Sequence, residues 1–166
     1  MVRRYAFRSR PGGLSRRHPA FWIASWGGVG MVRHGSGTWG SLAALPFAWP
    51  ILEVWGPVGL GIAALAVYAA GVWASAVVER LGEKDSSFIV IDEVAGQWLT
   101  LTAAALDPWL FLLGFGLFRL YDIWKPFPAD WVDQRMGGGL GVMTDDMIAG
   151  LYGALSLWGL RWLIGW

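Results

Sequence analysis

The sequence contains no cysteine, only two histidines and few charged residues for its length. The absence of cysteine excludes disulfides, thiolate metal sites and thiol nucleophiles. The shortage of histidine argues against a Ser-His-Asp triad and against a histidine-ligated zinc site. Charged residues make up 15% of the 166 positions, against about 25% in an ordinary soluble domain. This composition excludes a disordered chain and a nucleic-acid-binding tail, so no nucleic-acid partner is expected.

Apolar residues dominate what is present, with 55% hydrophobic residues and 13 tryptophans. Residues 42–78 contain a single charged side chain, Glu53, and this run is too long for one membrane span of about 20 residues. Prolines and glycines divide the chain into predicted helices at about 42–54, 58–80, 92–106, 109–124 and 145–164, and residues 125–144 read as a Gly-rich polar loop. The predicted fold is therefore all-α, a compact bundle of about five main helices that is polytopic or deeply membrane-embedded.

The N-terminal segment is strongly basic, and no linker divides the remainder of the chain. Six arginines and no acid occur in the first 17 residues, at positions 3, 4, 8, 10, 16 and 17. We predict a flexible basic arm over residues 1–20, lying on an anionic membrane surface or remaining solvated. Residues 21–166 are predicted to form a single helical domain.

The charges are distributed unevenly along an up-and-down helical path. If the N-terminus lies inside, 12 of the 13 basic residues fall on that side, and Arg161 is the exception. This pattern predicts that the charged side is cytoplasmic. Tryptophans near predicted helix ends are expected to lie in the interfacial belts at positions 39, 55, 98, 109, 124, 158, 162 and 166.

Two adjacent acid pairs are the main candidates for chemistry. Asp92-Glu93 and Asp145-Asp146 each open a predicted helix, and small residues follow both pairs. One interpretation is helix capping, with Thr144 as an N-cap. The other is convergence on Mg²⁺, which prefers carboxylate, phosphate and water oxygens. Adjacent helical residues point about 100° apart, so one acid of each pair is expected to bind the metal directly.

Further polar residues lie at the end of the fourth predicted helix and before the first one. Arg119, Asp122 and Lys125 are spaced i, i+3 and i+6. Asp122 can join the acid cluster while the two cations bind phosphate, or the residues can form only an ion-pair ladder. The segment HGSGTWGS at 34–41 can form a phosphate-binding nest, although Ser41 can instead be a simple N-cap. Acids, cations and a Gly-rich loop together favour metal-assisted hydrolysis of a phosphate ester.

Four of these segments together resemble the phosphatidylglycerophosphatase A family: GTWGSLAALPF at 37–47, FIVIDEVAGQW at 88–98, FRLYDIWKPFP at 118–128 and GGLGVMTDDMIAG at 138–150. The resemblance implies a Mg²⁺-dependent membrane enzyme that removes the terminal phosphate of phosphatidylglycerophosphate. It also implies one central helix surrounded by others. Carried over by position, it assigns the acid cluster to Asp92, Glu93, Asp122, Asp145 and Asp146, and phosphate binding to Thr38, Ser41, Arg119 and Lys125, with Asp85 as a weaker candidate. Ser36 stands where the family pattern has proline.

The resemblance and the charge pattern together predict a phosphatase of the bacterial inner membrane, with phospholipid as substrate and its active site facing the cytoplasm. Two other functions use the same residues. A phospholipid head-group phosphotransferase would pass the phosphoryl group to an alcohol. A non-enzymatic membrane protein would use the acids as a cation-binding site or cation path.

Overall fold

The computed structural model describes residues 14–81 and 87–165, and these residues form helices joined by short connections. The helices are α1 (Pro19–Ala24), α2 (Ser36–Arg80), α3 (Ile91–Leu101), α4 (Pro108–Trp124), α5 (Ala129–Arg135) and α6 (Gly138–Ile164), with a 3-10 turn at Val29–Met31. Helix α2 is interrupted at Gly56, whose φ of 65° and ψ of −170° are not helical. Glycine tolerates this conformation, and Pro57 directly after it has no N–H to donate. The all-α prediction and the predicted break near residues 53–57 are confirmed.

Helix α3 is the central helix of the bundle. Eight of its 11 residues are buried, and it packs against α2, α4 and α6. Close approach depends on Gly96 and Gly150, since a Cβ at Gly150 would lie 2.5 Å from the Gly96 carbonyl oxygen. The Thr100 hydroxyl lies 3.1 Å from the carbonyl oxygens of both glycines. Small residues thus let the backbones of α3 and α6 meet, as in membrane helix pairs.

Three local predictions are wrong. The segment 125–144 is not one loop, because it contains α5 and the first two turns of α6, which begins at Gly138. Asp145 and Asp146 therefore lie inside α6, and Thr144 is not its N-cap but lies 2.9 Å from the Tyr68 hydroxyl of α2. Helix α3 ends at Leu101, five residues before the predicted end.

The described part of the N-terminal segment is attached to the bundle. Residues 1–13 of the predicted arm lie outside the described residues. Leu14 is buried, and His18 accepts a hydrogen bond from the Ala20 N–H at the start of α1. The division into an arm at 1–20 and a domain at 21–166 stays a prediction.

Two helices, α2 and α6, are long and apolar enough to cross a membrane. Only 28% of the most apolar stretch of α2 and 22% of that of α6 is buried inside the protein. A core helix of a soluble protein would be mostly covered, so these exposed apolar surfaces favour contact with lipid. Helix α3, with 11 residues, extends about 16 Å and is too short to span a bilayer core of about 30 Å.

Exposure divides the tryptophans that are predicted to lie in interfacial belts, and the belts themselves stay a prediction. Among the predicted interfacial positions, the exposed ones are Trp39, Trp55, Trp109, Trp124, Trp158 and Trp162. The prediction is wrong for Trp98, which is buried and donates its indole N–H to the Ala44 carbonyl at 2.9 Å. Residue 166 lies outside the described residues. Trp98 therefore joins α3 to α2 in the core instead of marking a membrane interface.

Replacing Gly96 with alanine should destabilise the bundle. The added Cβ would lie 2.5 Å from the Asp146 carbonyl oxygen and 2.5 Å from the Phe118 ring, and overpacking of this kind costs about 1–3 kcal/mol. Thermal unfolding in detergent micelles should show a lower melting temperature. Gly116→Ala is the matched control, because a Cβ at Gly116 meets no described atom within 4 Å. Equal melting temperatures for Gly96→Ala and wild type would contradict the proposed packing.

Candidate active site

A cavity of about 430 Å³ lies where one end of each of α2, α3 and α4 meets α5 and the N-terminal half of α6. Most of its lining residues are charged or carry a hydroxyl group. The lining residues from α2 and the segment before it are Arg33, Gly35, Ser36 and Gly37; those near α3 are Ser87, Ile89, Asp92 and Glu93; the others are Arg119, Asp122, Ile123, Lys125, Asp133, Val142, Asp145 and Asp146. The cavity therefore brings together all five acids and both cations singled out from the sequence.

Three of the acids form a compact cluster. Asp92 and Glu93 lie in the first turn of α3, as predicted, and Asp146 faces them from α6. One carboxylate oxygen from each of the three lies within 4.8 Å of the others. Glu93 Oε2 and Asp146 Oδ2 are buried and have no hydrogen-bond partner among the described residues. Three carboxylates at this separation, two of them with an oxygen unpartnered among the described residues, can hold a metal ion.

The charge of this cluster is poorly compensated by the protein. Burial raises the pKa of Asp92, although hydrogen bonds from Glu93 oppose that shift. Burial raises the pKa of Glu93 well above its usual value, and the neighbouring Asp92 and Asp122 raise it further. Burial and like-charge repulsion both disfavour the ionised carboxylates, so a bound cation would relieve an existing electrostatic cost.

The other two acids each pair with a cation. Asp122 forms an ion pair with Arg119 one turn away on α4. Asp145 accepts a hydrogen bond of 2.7 Å from Lys125 Nζ. Because Asp145 and Asp146 are neighbours on a helix, one points toward Lys125 and the other toward α3.

Lys125 ends α4 in a left-handed conformation, with φ 47° and ψ 60°. Its Nζ also lies 3.1 Å from Asp133 Oδ2 of α5. Burial would lower the pKa of Lys125, but the hydrogen bonds and negative charges of Asp145 and Asp133 outweigh it and raise the pKa. Lys125 is therefore a permanent cation in the cavity wall.

The segment at 34–41 differs from the predicted loop, since α2 begins at Ser36 and includes most of it. Thr38 is exposed and does not line the cavity. Ser41 is not an N-cap, because it lies inside α2 and donates to the Gly37 carbonyl at 2.9 Å. Its hydroxyl lies 3.4 Å from Arg119 Nη1. Ser41 can thus support Arg119 but does not itself line the cavity.

Gly37 is the member of this segment closest to the acids. A Cβ there would overlap Glu93 Oε1 and would lie 3.2 Å from Arg119 Nη1. The absence of a side chain therefore lets α2 approach the acid cluster. Left-handed Gly35, with φ 65°, precedes the helix, so backbone near the positive end of α2 lines the cavity.

Asp133, Arg33 and Ser36 also line the cavity but were not selected as site residues from the sequence. Asp133 lies in the segment predicted as a loop, where no helical spacing could connect it with Lys125. The sequence signal that could have pointed to Asp133 as a site residue was its position as an acid within a polar, Gly-rich segment. Asp85, the weaker candidate, lies outside the described residues.

Comparison with known proteins shows which family the sequence matches. A family model described as phosphatidylglycerophosphatase A matches residues 22–161. The chain belongs to this family. A phosphatidylglycerophosphatase A of Escherichia coli (strain K12) is 36% identical over 162 residues, covering 92% of this chain and 90% of the relative. One from Haemophilus influenzae is 30% identical over 154 residues, covering 91% and 94%. No solved structure gives a significant match.

Family membership makes the protein a phosphatase of phospholipid metabolism. Family membership and the exposed apolar surfaces of α2 and α6 together indicate membrane association. The matched range includes the described acids and cations of the cavity and excludes the basic N-terminal segment at residues 1–20.

Proposed function

We propose that this protein hydrolyses the terminal phosphate monoester of phosphatidylglycerophosphate and requires Mg²⁺. The observation that carries the proposal is the cavity itself, in which three clustered carboxylates lie beside Arg119 and Lys125. Carboxylates that hold a hard cation and side chains that bind phosphate are the two requirements of metal-assisted phosphoryl transfer. The proposed lipid substrate follows from the two relatives that are named phosphatidylglycerophosphatase A.

Mg²⁺ fits the residues of the acid cluster. Asp92, Glu93 and Asp146 would hold it, because their oxygens lie within 4.8 Å of one another. Two of these residues keep a buried oxygen without a hydrogen-bond partner in the described structure. When bound, Mg²⁺ would neutralise the acids and polarise a phosphoryl oxygen. Asp122 and Asp145 border the cluster and hold Arg119 and Lys125 next to it.

The two cations complete the phosphate site. Arg119 presents a planar guanidinium, and its position is fixed by Asp122 and supported by Ser41. Lys125 adds an ammonium, which donates a hydrogen bond of 2.7 Å to Asp145 beside the acid cluster. Both charges stabilise negative charge that develops on the phosphoryl oxygens. Glu93 has two carboxylate oxygens, and the one that does not bind the metal is our candidate to accept a proton from the attacking water.

The proposed orientation places this cavity at the cytoplasmic face of the inner membrane. Arg33, Arg80 and Arg135 belong to the basic side of the sequence-based topology. The exposed apolar surfaces of α2 and α6 would face the acyl chains. In this arrangement the phosphate head group would bind in the charged cavity, and the acyl chains would contact the adjoining apolar surface of the same protein.

Phosphate release from phosphatidylglycerophosphate in mixed micelles tests the function. The purified protein should release inorganic phosphate with Mg²⁺, lose at least about 100-fold of its rate in EDTA, and recover when Mg²⁺ is restored. Formation of a new lipid from an added alcohol, without phosphate release, would instead indicate a phosphotransferase. Full activity in EDTA would contradict the metal requirement. No turnover of this lipid, under conditions where the protein is folded, would contradict the proposed substrate.

A further inference from the structure

Lys125 lies between two carboxylates that come from different helices. Its Nζ is 2.7 Å from Asp145 Oδ2 on α6 and 3.1 Å from Asp133 Oδ2 on α5. The two acids differ in their surroundings, because the Asp145 side chain is 6% exposed and that of Asp133 is 49% exposed. A lysine ammonium has three N–H donors, so these two contacts leave one for another acceptor.

The position of Asp133 is set by the packing of α5. Ala129 and Val132 are buried and attach this short helix to the bundle. The preceding turn is held from α6, where the Tyr152 hydroxyl donates to the Phe127 carbonyl at 2.8 Å. Asp133 directly follows Val132 and therefore projects from an anchored helix toward the end of α4.

Asp133 also lies between two cavities. A second cavity of about 760 Å³ shares Lys125, Asp133 and Val142 with the first. The ion pair of Lys125 and Asp133 thus forms part of the wall between the two spaces. The Lys125 side chain is partly exposed and lines the first cavity, so a ligand bound there can contact the ammonium.

We propose that Asp133 is a positioning residue, which together with Asp145 fixes the orientation of the Lys125 ammonium so that its third N–H remains directed at the bound phosphoryl group. With Asp145 as its only partner, the ammonium would turn about a single hydrogen bond, and its other N–H groups would lose their fixed direction. With both carboxylates present, two contacts from different helices hold the ammonium in one orientation. This inference rests on the proposed function, because it assumes that the cavity binds a phosphate.

Asp133→Asn tests this role, because a positioning residue and a merely repulsive charge predict opposite changes in the affinity for phosphate. If Asp133 positions Lys125, we expect the dissociation constant of inorganic phosphate, measured by calorimetry with Mg²⁺ present, to rise about 5- to 20-fold. KM for the lipid should rise by a similar factor, with a smaller change in kcat. If Asp133 acts only as a negative charge near a dianion, its removal should tighten phosphate binding instead.

Three comparisons make the experiment decisive. Asp130→Asn is the matched control, since Asp130 lies on the same helix, accepts a hydrogen bond from the Trp131 N–H at 2.8 Å and does not line the cavity. Asp133→Glu should restore part of the phosphate affinity. In a Lys125→Met background, Asp133→Asn should have almost no further effect, because the proposed role acts through Lys125.

Each result supports or overturns the positioning role. Unchanged or tighter phosphate binding in Asp133→Asn would overturn it, as would an equal loss in the Lys125→Met background. A partly exposed ion pair contributes little to stability, so we expect the melting temperature of Asp133→Asn to stay close to that of wild type. Because inorganic phosphate is the probe, the result does not depend on which lipid is the substrate. Failure of lipid hydrolysis alone would therefore contradict the proposed function and not this inference.

Discussion

Asp146→Asn should lower kcat at least about 100-fold while leaving the protein as stable as wild type or more so. Asp146 carries a buried oxygen without a hydrogen-bond partner among the described residues, and it faces two further carboxylates. Removing one of several mutually repelling buried charges stabilises a fold. The same change removes a proposed oxygen ligand for Mg²⁺, and loss of a ligand weakens both metal binding and the chemistry that depends on it.

Two measurements check this prediction together. Phosphate release gives kcat, and thermal unfolding with and without Mg²⁺ reports metal binding independently of turnover. Mg²⁺ should raise the melting temperature of wild type, because a ligand that binds only the folded state stabilises it, and should not do so for Asp146→Asn. Glu53→Gln is a suitable control, since Glu53 is an exposed acid of α2 that does not line the cavity. A variant with normal kcat and a normal response to Mg²⁺ would contradict the role of Asp146.

Arg119→Lys should lower kcat/KM about 100-fold even though it keeps the positive charge. Arg119 pairs with Asp122, lies 3.4 Å from the Ser41 hydroxyl and borders the acid cluster across from Gly37. Lysine provides a point charge on a flexible stem and cannot reproduce the planar fork that binds carboxylate and phosphate at once. Misplacing a charge by about 1 Å at a phosphoryl-transfer site costs about 100-fold in rate.

Steady-state kinetics with the lipid substrate checks this prediction. Arg119→Gln should lose more activity than Arg119→Lys, because it removes the charge as well as the geometry. Arg135→Lys is the control, since Arg135 is exposed at the end of α5 and does not line the cavity. Activity of Arg119→Lys within twofold of wild type would show that charge alone suffices, and would contradict the proposed importance of the guanidinium.

Glycine was the main source of error in the predicted elements. The segment GGLGVMT at 138–144 reads as a loop because glycine has low helix propensity. In the structure it is the start of α6, and its glycines permit close packing: a Cβ at Gly139 would overlap the Val72 carbonyl of α2, and one at Gly141 would overlap the Met136 carbonyl. Close backbone contacts therefore require glycine at these positions. A single sequence does not show whether a glycine is needed for close packing or for a loop.

The acid pair of α3 was predictable for a local reason. Asp92 and Glu93 follow a short apolar segment and precede Val94-Ala95-Gly96, so a helix start at this point follows from the pattern of neighbouring residues. The structure confirms that both lie in the first turn. Asp133 was not predictable in this way, because its partner Lys125 is eight residues away across a turn whose path depends on the packing of α5.

The sequence by itself determined the apolar all-helical class, the family, and the set of acids and cations available for chemistry. These properties depend on composition and on local spacing along the chain. Only the tertiary structure decided how the charges are divided, with Asp146 facing Asp92 and Glu93 while Asp145 pairs with Lys125 and Asp122 with Arg119. Neighbouring residues on a helix point about 100° apart, so the helices packed on either side determine which carboxylate meets a cation and which stays open to a metal.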